Sequence, residues 1–114
     1  MNIEELLANE LQLLGITKRY RGFRQVMSCV MLALDDEDRL LDITKTIYWE
    51  IADRFGCDTT CVERNIRTVA RVAWNVNPTR LQELARYPLS GTPTASEFVT
   101  ILFSYIQRTL TGAA

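Results

Sequence analysis

The sequence contains no histidine, and its 114 residues include only 3 cysteines, 3 prolines and 5 glycines. Histidine is the commonest general base and the commonest zinc ligand, so its absence removes the usual basis of acid–base catalysis and of a zinc site. An odd cysteine count without a secretory signal points to a reducing compartment, and we expect a cytoplasmic protein. The shortage of glycine and proline favours long helices over a turn-rich all-β fold.

Long apolar runs and nucleotide-binding loops are also missing. No stretch approaches the roughly 18 apolar residues of a membrane-spanning helix. The sequence has neither a glycine-rich phosphate loop nor a G-x-S-x-G elbow. Cys57 and Cys61 are spaced to meet on a helix, but without a histidine or a fourth cysteine they do not complete a metal site. We therefore expect no enzyme activity, no cofactor, no metal and no membrane partner.

Neither sign of charge dominates, since the sequence has 13 basic and 14 acidic residues and a net charge of -1. This total argues against nucleic-acid binding, because dedicated DNA-binding domains are often basic. The distribution is uneven, however. Three charged clusters stand out: the basic Lys18, Arg19, Arg21 and Arg24, the acidic Asp35, Asp36, Glu37 and Asp38, and the later Arg64, Arg67 and Arg71 with Glu63. A nearly neutral protein can therefore still carry a basic face.

Apolar residues recur at helical spacing along the whole chain, and hydrophobic residues make up 47% of it. We predict an all-α fold, a compact six-helix domain that spans residues 1–114. Asn77-Pro78 and the pair Thr94 and Glu97 are typical of helix starts. A bend is expected near residues 42–44, and the inner face of the helix around it should include Leu40, Leu41, Thr44, Ile47, Tyr48, Ile51, Ala52 and Phe55.

A helix-turn-helix is predicted in the middle of the chain, with a first helix at about 44–55, a turn at 56–59 and a recognition helix at about 60–75. Gly56 suits the turn, and Ala52 is small enough for a close helix crossing. Thr60 and Glu63 fit a capping box at the start of the recognition helix. In such a motif the first helix crosses the phosphate backbone and the second enters the major groove.

The outer side of the predicted recognition helix carries hydrogen-bond donors. Arginine can bond guanine bidentately, and glutamate can accept from cytosine. We expect base contacts from Glu63, Arg64, Arg67 and Thr68, and phosphate contacts from Lys45, Thr60 and Arg71. The alternative is an ordinary solvated face, on which Glu63 and Arg67 form an i, i+4 pair worth roughly 0.2–0.5 kcal/mol. Spacing alone favours a DNA-binding domain and a helical interaction module equally.

Several motifs, taken in order, resemble a known family. They are Leu14-Gly15-Ile16, Arg21-Gly22-Phe23, residues 43–48, Val62-Glu63-Arg64-Asn65-Ile66-Arg67, Val72-Ala73-Trp74 and residues 93–98. Together they resemble the DNA-binding effector domain of stage zero sporulation protein A, a response regulator. The resemblance implies a six-helix domain that binds short AT-rich boxes, often in tandem, and therefore a homodimer on DNA. It also implies contact with RNA polymerase, and Glu63, Arg64 and Arg67 as DNA contacts.

The chain departs from this family at several positions. Cys61 stands where the family has an arginine, and Thr68 where it has a histidine. The lysines usual before the closing motif are replaced by Ser90, Gly91 and Thr92, so a weaker phosphate grip is expected. The phosphoacceptor receiver domain is not in the sequence; either it has been removed or, as we favour, the chain is a stand-alone relative. These departures leave an alternative function, a degenerate effector-like domain acting in protein interaction or dimerisation.

Overall fold

The computed structural model describes residues 2–112, and these residues form six α-helices and no β-strand. The helices are α1 (Ile3–Leu13), α2 (Arg21–Asp35), α3 (Trp49–Phe55), α4 (Thr59–Val76), α5 (Pro78–Ala85) and α6 (Ala95–Thr111). A 3-10 helix (Glu37–Asp42) and a π-helical turn (Thr44–Tyr48) connect α2 to α3. The predicted all-α, six-helix fold is confirmed. None of the described helices is long and apolar enough to cross a membrane.

Helix α2 lies at the centre of the core and packs against α1, α4 and α6. Its buried side carries Phe23, Val26, Cys29, Val30 and Ala33. The apolar sides of α4 and α6 close over it with Val62, Ile66, Val69, Phe98, Leu102 and Ile106, all of them buried. These residues recur every three or four positions, so each helix turns one continuous stripe inward. The stripe that holds α4 also fixes which of its sides faces solvent.

Gly22 allows α2 and α4 to cross at very short range. A Cβ atom at this position would lie 2.5 Å from the backbone oxygen of Asn65 and 2.8 Å from Cγ1 of Val69. Neither neighbour is the end of a flexible side chain, since one is backbone and the other is buried and β-branched. Only glycine therefore permits this crossing without a shift of the helices.

Gly22→Ala should lower the free energy of unfolding by about 1–3 kcal/mol, because the added methyl group overpacks a backbone contact. Urea unfolding followed by circular dichroism measures the change. Gly91→Ala is the matched control, since a Cβ there meets nothing within 4 Å. An equal stability of the Gly22 variant and the Gly91 variant would contradict the crossing.

The segment between α2 and α3 differs from the predicted bent helix. The N–H of Trp49 bonds to the carbonyl of Thr44, five residues back, and this wider turn shifts the side chains around the axis. Ile47 and Tyr48 are buried as predicted, but the expectation for Leu41 is wrong because this side chain is 87% exposed. Thr44 and Phe55, also expected inside, are exposed. Periodicity of 3.6 residues cannot anticipate such a change of register.

Arg39 ties this segment together. Its guanidinium donates to the Thr46 carbonyl and to Oε1 of Glu50, the latter at 2.7 Å. The Thr46 hydroxyl donates in turn to carbonyls in the 3-10 helix, those of Arg39 and Asp42. The pKa of Glu50 is lowered, first by the hydrogen bond from Arg39. These bonds join the 3-10 helix, the π-helical turn and the start of α3 into one unit.

Tyr48 buries its hydroxyl in this unit without a hydrogen-bond partner among residues 2–112. An unpaired buried hydroxyl costs roughly 1–3 kcal/mol relative to its hydrated state. Tyr48→Phe keeps the ring and removes this cost, so the variant should be at least as stable as the parent. Thermal and urea unfolding would show it, with Phe98→Leu as a packing variant that must lose stability. A destabilised Tyr48→Phe protein would mean that the hydroxyl is bonded in solution.

Two predicted helix starts are confirmed. The Asn77 side chain accepts from the N–H of Arg80 at 3.2 Å, with Pro78 as the first residue of α5. The Thr94 hydroxyl accepts from the N–H of Glu97 at 3.1 Å and opens α6. These local signals depend only on neighbouring residues, which explains why the sequence alone reveals them.

Candidate nucleic-acid interface

A three-residue turn, Gly56 to Asp58, joins α3 to α4. Gly56 ends α3 in the left-handed conformation at φ 68°, and the N–H of Cys57 returns to the Ala52 carbonyl at 3.0 Å. A Cβ at Gly56 would meet nothing within 4 Å, so the glycine serves its backbone conformation rather than packing. Ala52 is buried where α3 faces the core.

The start of α4 corrects the predicted capping box. Asp58 is the N-cap residue, and its Oδ1 accepts from the N–H of Cys61 at 2.8 Å. Thr60 therefore lies inside the first turn of the helix, and Glu63 does not reach back to it. Asp58 lies three residues before the N–H from which it accepts, the same spacing as the one predicted between Thr60 and Glu63. The helix begins at Thr59 and ends at Val76, close to the predicted 60–75.

Helix α4 has two opposite faces. Its buried face packs on the core through Val62, Ile66, Val69, Ala70 and Ala73. At about 100° per residue, the opposite face carries the exposed side chains of Thr60, Arg64, Arg67 and Arg71. We call these four residues the arginine face. The sequence predicted its members, and the fold presents them together along one side of one helix.

The arginines of this face are in different states. The guanidinium groups of Arg64 and Arg71 form no hydrogen bond or ion pair within residues 2–112. Arg67 donates to Oε2 of Glu63 at 2.7 Å, and both side chains are about half exposed. Such an exposed pair contributes little to stability, but it restricts the guanidinium of Arg67 to the neighbourhood of Glu63. Two cations are thus available for a partner, and a third is preoriented.

The remaining predicted contact residues lie at the edges of the face. Thr68 is half-buried, and its hydroxyl donates to the Arg64 carbonyl at 3.0 Å, which leaves its lone pairs for an incoming donor. Lys45 is exposed on the π-helical turn, on the element that leads into α3. None of the seven predicted contact residues is buried. Their contacts with DNA stay predictions.

A groove of about 480 Å³ runs beside the start of α4, and the sequence did not locate it. One wall consists of Lys18, Arg19, Arg21 and Arg24, which lead into and begin α2. The other wall is formed by Gly56, Cys57, Cys61 and Asn65. We call this feature the basic groove. The cluster of cations was visible in the sequence, but its position next to α4 depends on the crossing at Gly22.

The three cysteines occupy two different environments. Cys29 is fully buried in α2, and burial raises the pKa of its thiol to about 12. Cys57 and Cys61 are partly exposed on the basic groove. The pKa of Cys57 is raised, first by partial burial and then by a hydrogen bond with Cys61, while Arg21 acts against this shift. Within residues 2–112, no group of three or more His, Cys, Asp or Glu side chains is arranged to hold a metal ion.

Alkylation should separate these environments. With N-ethylmaleimide at neutral pH, the native protein should be modified at Cys57 and Cys61, while Cys29 stays protonated and inaccessible. Mass spectrometry after proteolysis identifies the labelled residues. In about 6 M guanidinium chloride, which unfolds most domains, all three should react. Labelling of Cys29 in the native protein at the rate of the other two would contradict the packed core.

A small helical fold that presents exposed arginines on the second of two helices joined by a short turn is compatible with the class of DNA-binding domains. A comparison with known families agrees with this class. The family model described as "Sporulation initiation factor Spo0A C terminal" matches residues 7–106 of the chain. The chain belongs to this family, whose members bind DNA in the regulation of sporulation. The resemblance noted from the sequence motifs is confirmed.

Proposed function

We propose that the protein is a sequence-specific regulator of transcription that reads duplex DNA with α3, the turn and α4 as a helix-turn-helix. In this mode α3 crosses the phosphate backbone, and α4 enters the major groove with its N-terminal half at the base edges. The observation that carries the proposal is the arginine face, on which the guanidinium of Arg64 is exposed and has no partner within residues 2–112. An exposed guanidinium stays hydrated without a protein partner, and its N–H groups can donate hydrogen bonds to acceptor atoms of duplex DNA.

The side chains divide by what they can recognise. Arg64 and Arg67 each present a planar fork of donors that fits O6 and N7 of guanine. Glu63 either orients Arg67 through their 2.7 Å ion pair or accepts from cytosine N4. Thr68 lies one turn beyond Arg64 and can accept from, or pack on, an adjacent base. These four residues are the proposed base contacts.

Phosphate contacts are proposed for Lys45, Thr60 and Arg71, which flank the base-reading residues. The carboxylate of Asp58 already accepts from the first turn of α4, so this helix terminus offers a phosphate less than an open one would. Contacts with the DNA phosphate backbone therefore depend on side chains. Such contacts fix the register on the duplex without carrying sequence information.

The wider context is proposed from the resemblance of the sequence motifs. A cytoplasmic regulator of this kind would act through contact with RNA polymerase, and two copies would bind tandem AT-rich boxes as a homodimer. The chemistry proposed for the domain is binding alone, with no enzymatic step.

Arg64→Ala should weaken binding to the preferred box by about 1–3 kcal/mol and relax discrimination at the base pair it reads, because the bidentate contact is lost. Fluorescence anisotropy with a labelled family-type box and a scrambled duplex measures both quantities. Arg86→Ala is the control, since it removes the same charge at the end of α5. Equal affinity of parent and Arg64 variant for the box would remove Arg64 from the interface.

The same titration distinguishes the alternative function. If the folded parent protein binds neither duplex at low salt, DNA reading by α4 is wrong. A heterocomplex or a dimer formed without DNA would then favour an interaction module.

A further inference from the structure

The basic groove concentrates positive charge that the described part of the chain does not neutralise. Lys18, Arg19, Arg21 and Arg24 are all exposed, and no Asp or Glu occurs between Gly15 and Leu34. The side chains of Lys18, Arg19 and Arg24 form no hydrogen bond or ion pair within residues 2–112. Glu4 and Glu5 line a neighbouring hollow together with Lys18 and Arg24, and the Asp58 carboxylate caps α4.

The charged residues at the two ends of α2 are placed unfavourably for the helix dipole. An α-helix is stabilised by acidic residues in its first turn and basic residues in its last. Helix α2 has no acidic residue in its first turn and no basic residue in its last, and it begins with Arg21 and ends with Asp35. Its N-cap residue, Tyr20, provides no side-chain hydrogen bond to the free amides. The cationic end of α2 is therefore unfavourable for the isolated helix, and this end faces the basic groove.

The basic groove has a fixed position relative to α4. Gly22 brings α2 against the backbone of Asn65. The side-chain amide of Asn65 donates to Oε1 of the buried Gln25 at 3.0 Å. These contacts lie one turn or less from Arg21 and Arg24. Arg21 and Arg24 thus stand on a packed helix, so packing sets their distance from α4, and Lys18 and Arg19 lie on the turn that leads directly into this helix.

The basic groove also lies on the correct side of α4. At about 100° per residue, Cys61 and Asn65 fall between the buried face and the side that carries Arg64 and Arg71. When a major groove about 12 Å wide receives the arginine face, one of its phosphate strands passes this flank of the helix. Duplex DNA carries one charge per roughly 1.7 Å, so several phosphates would face the four cations.

We propose that the basic groove binds the DNA phosphate backbone alongside the major groove that α4 reads, with Lys18, Arg19, Arg21 and Arg24 as the contacts. The inference rests on the proposed function, and it assigns a role to a cluster that the helix-turn-helix does not use.

The test compares salt dependence. Anisotropy titrations at several salt concentrations give the slope of log affinity against log salt, which is about -0.9 per phosphate neutralised. The variant Lys18→Gln, Arg19→Gln, Arg24→Gln should reduce the magnitude of this slope by roughly 2–3. Its affinity should fall by similar factors for the preferred box and the scrambled duplex, so that discrimination is kept. Arg86→Gln, at a residue that does not line the groove, should leave the slope at that of the parent, and Arg64→Ala should reduce discrimination instead.

Each outcome decides the proposal. An unchanged slope in the triple variant, with normal discrimination, overturns the role of the basic groove and leaves the helix-turn-helix intact. Loss of binding to the preferred box alone also overturns it, because phosphate contacts act on every sequence. Parent protein that binds no duplex overturns both proposals. Circular dichroism melting shows whether the variants fold. If the triple variant does not fold, the single variants Arg19→Gln and Arg24→Gln replace it, and each should decrease the slope by a smaller amount.

Discussion

The close crossing of α2 and α4 at Gly22 is the contact on which the rest of the structure depends. The Asn65 backbone lies only 2.5 Å from where a Cβ would stand, so no side chain fits between the two helices at this point. This approach lets their apolar stripes share one core, and it holds the buried face of α4 inward. The arginine face must then point to solvent. The same crossing sets the basic end of α2 beside the first turn of α4, so core packing and the proposed interface have a single geometric origin.

The crossing also explains how a protein with a net charge of -1 can offer a basic surface. Helix α2 spans roughly 20 Å between Arg21 and Asp35, more than twice the screening length of about 8 Å at physiological salt. Its basic end lies at the interface, while the acidic residues 35–38 lie at the far end. Charges separated in this way do not cancel for a ligand in contact with one end. Net charge is therefore a poor guide to the function of this chain, and the position of each cluster in the fold matters more.

Sequence patterns predicted the regular parts of the fold well and the irregular parts poorly. The stripe of Val62, Ile66 and Val69 and the cap at Asn77 depend on neighbours along the chain, and both were predicted correctly. Leu41 was predicted inside but is exposed, because it lies in a 3-10 helix followed by a π-helical turn, and neither keeps the 3.6-residue period on which the prediction rested. Thr60 was predicted as the N-cap because Glu63 follows it at capping-box spacing, whereas the extended backbone at Asp58 places the cap two residues earlier.

The sequence by itself determined the helical class, the helix that carries the arginines and the family, because helical period, capping residues and short motifs are local properties. Only the tertiary structure decided which distant groups meet. Glu10, 5% exposed, is paired with Arg80 across 70 positions of the chain, with two guanidinium nitrogens within 3.0 Å of its carboxylate. Gln25 meets Asn65, and Lys18, Arg19, Arg21 and Arg24 meet the start of α4. Such pairings depend on how helices cross, and helix crossing is set by the fit of whole surfaces rather than by any one residue or its neighbours.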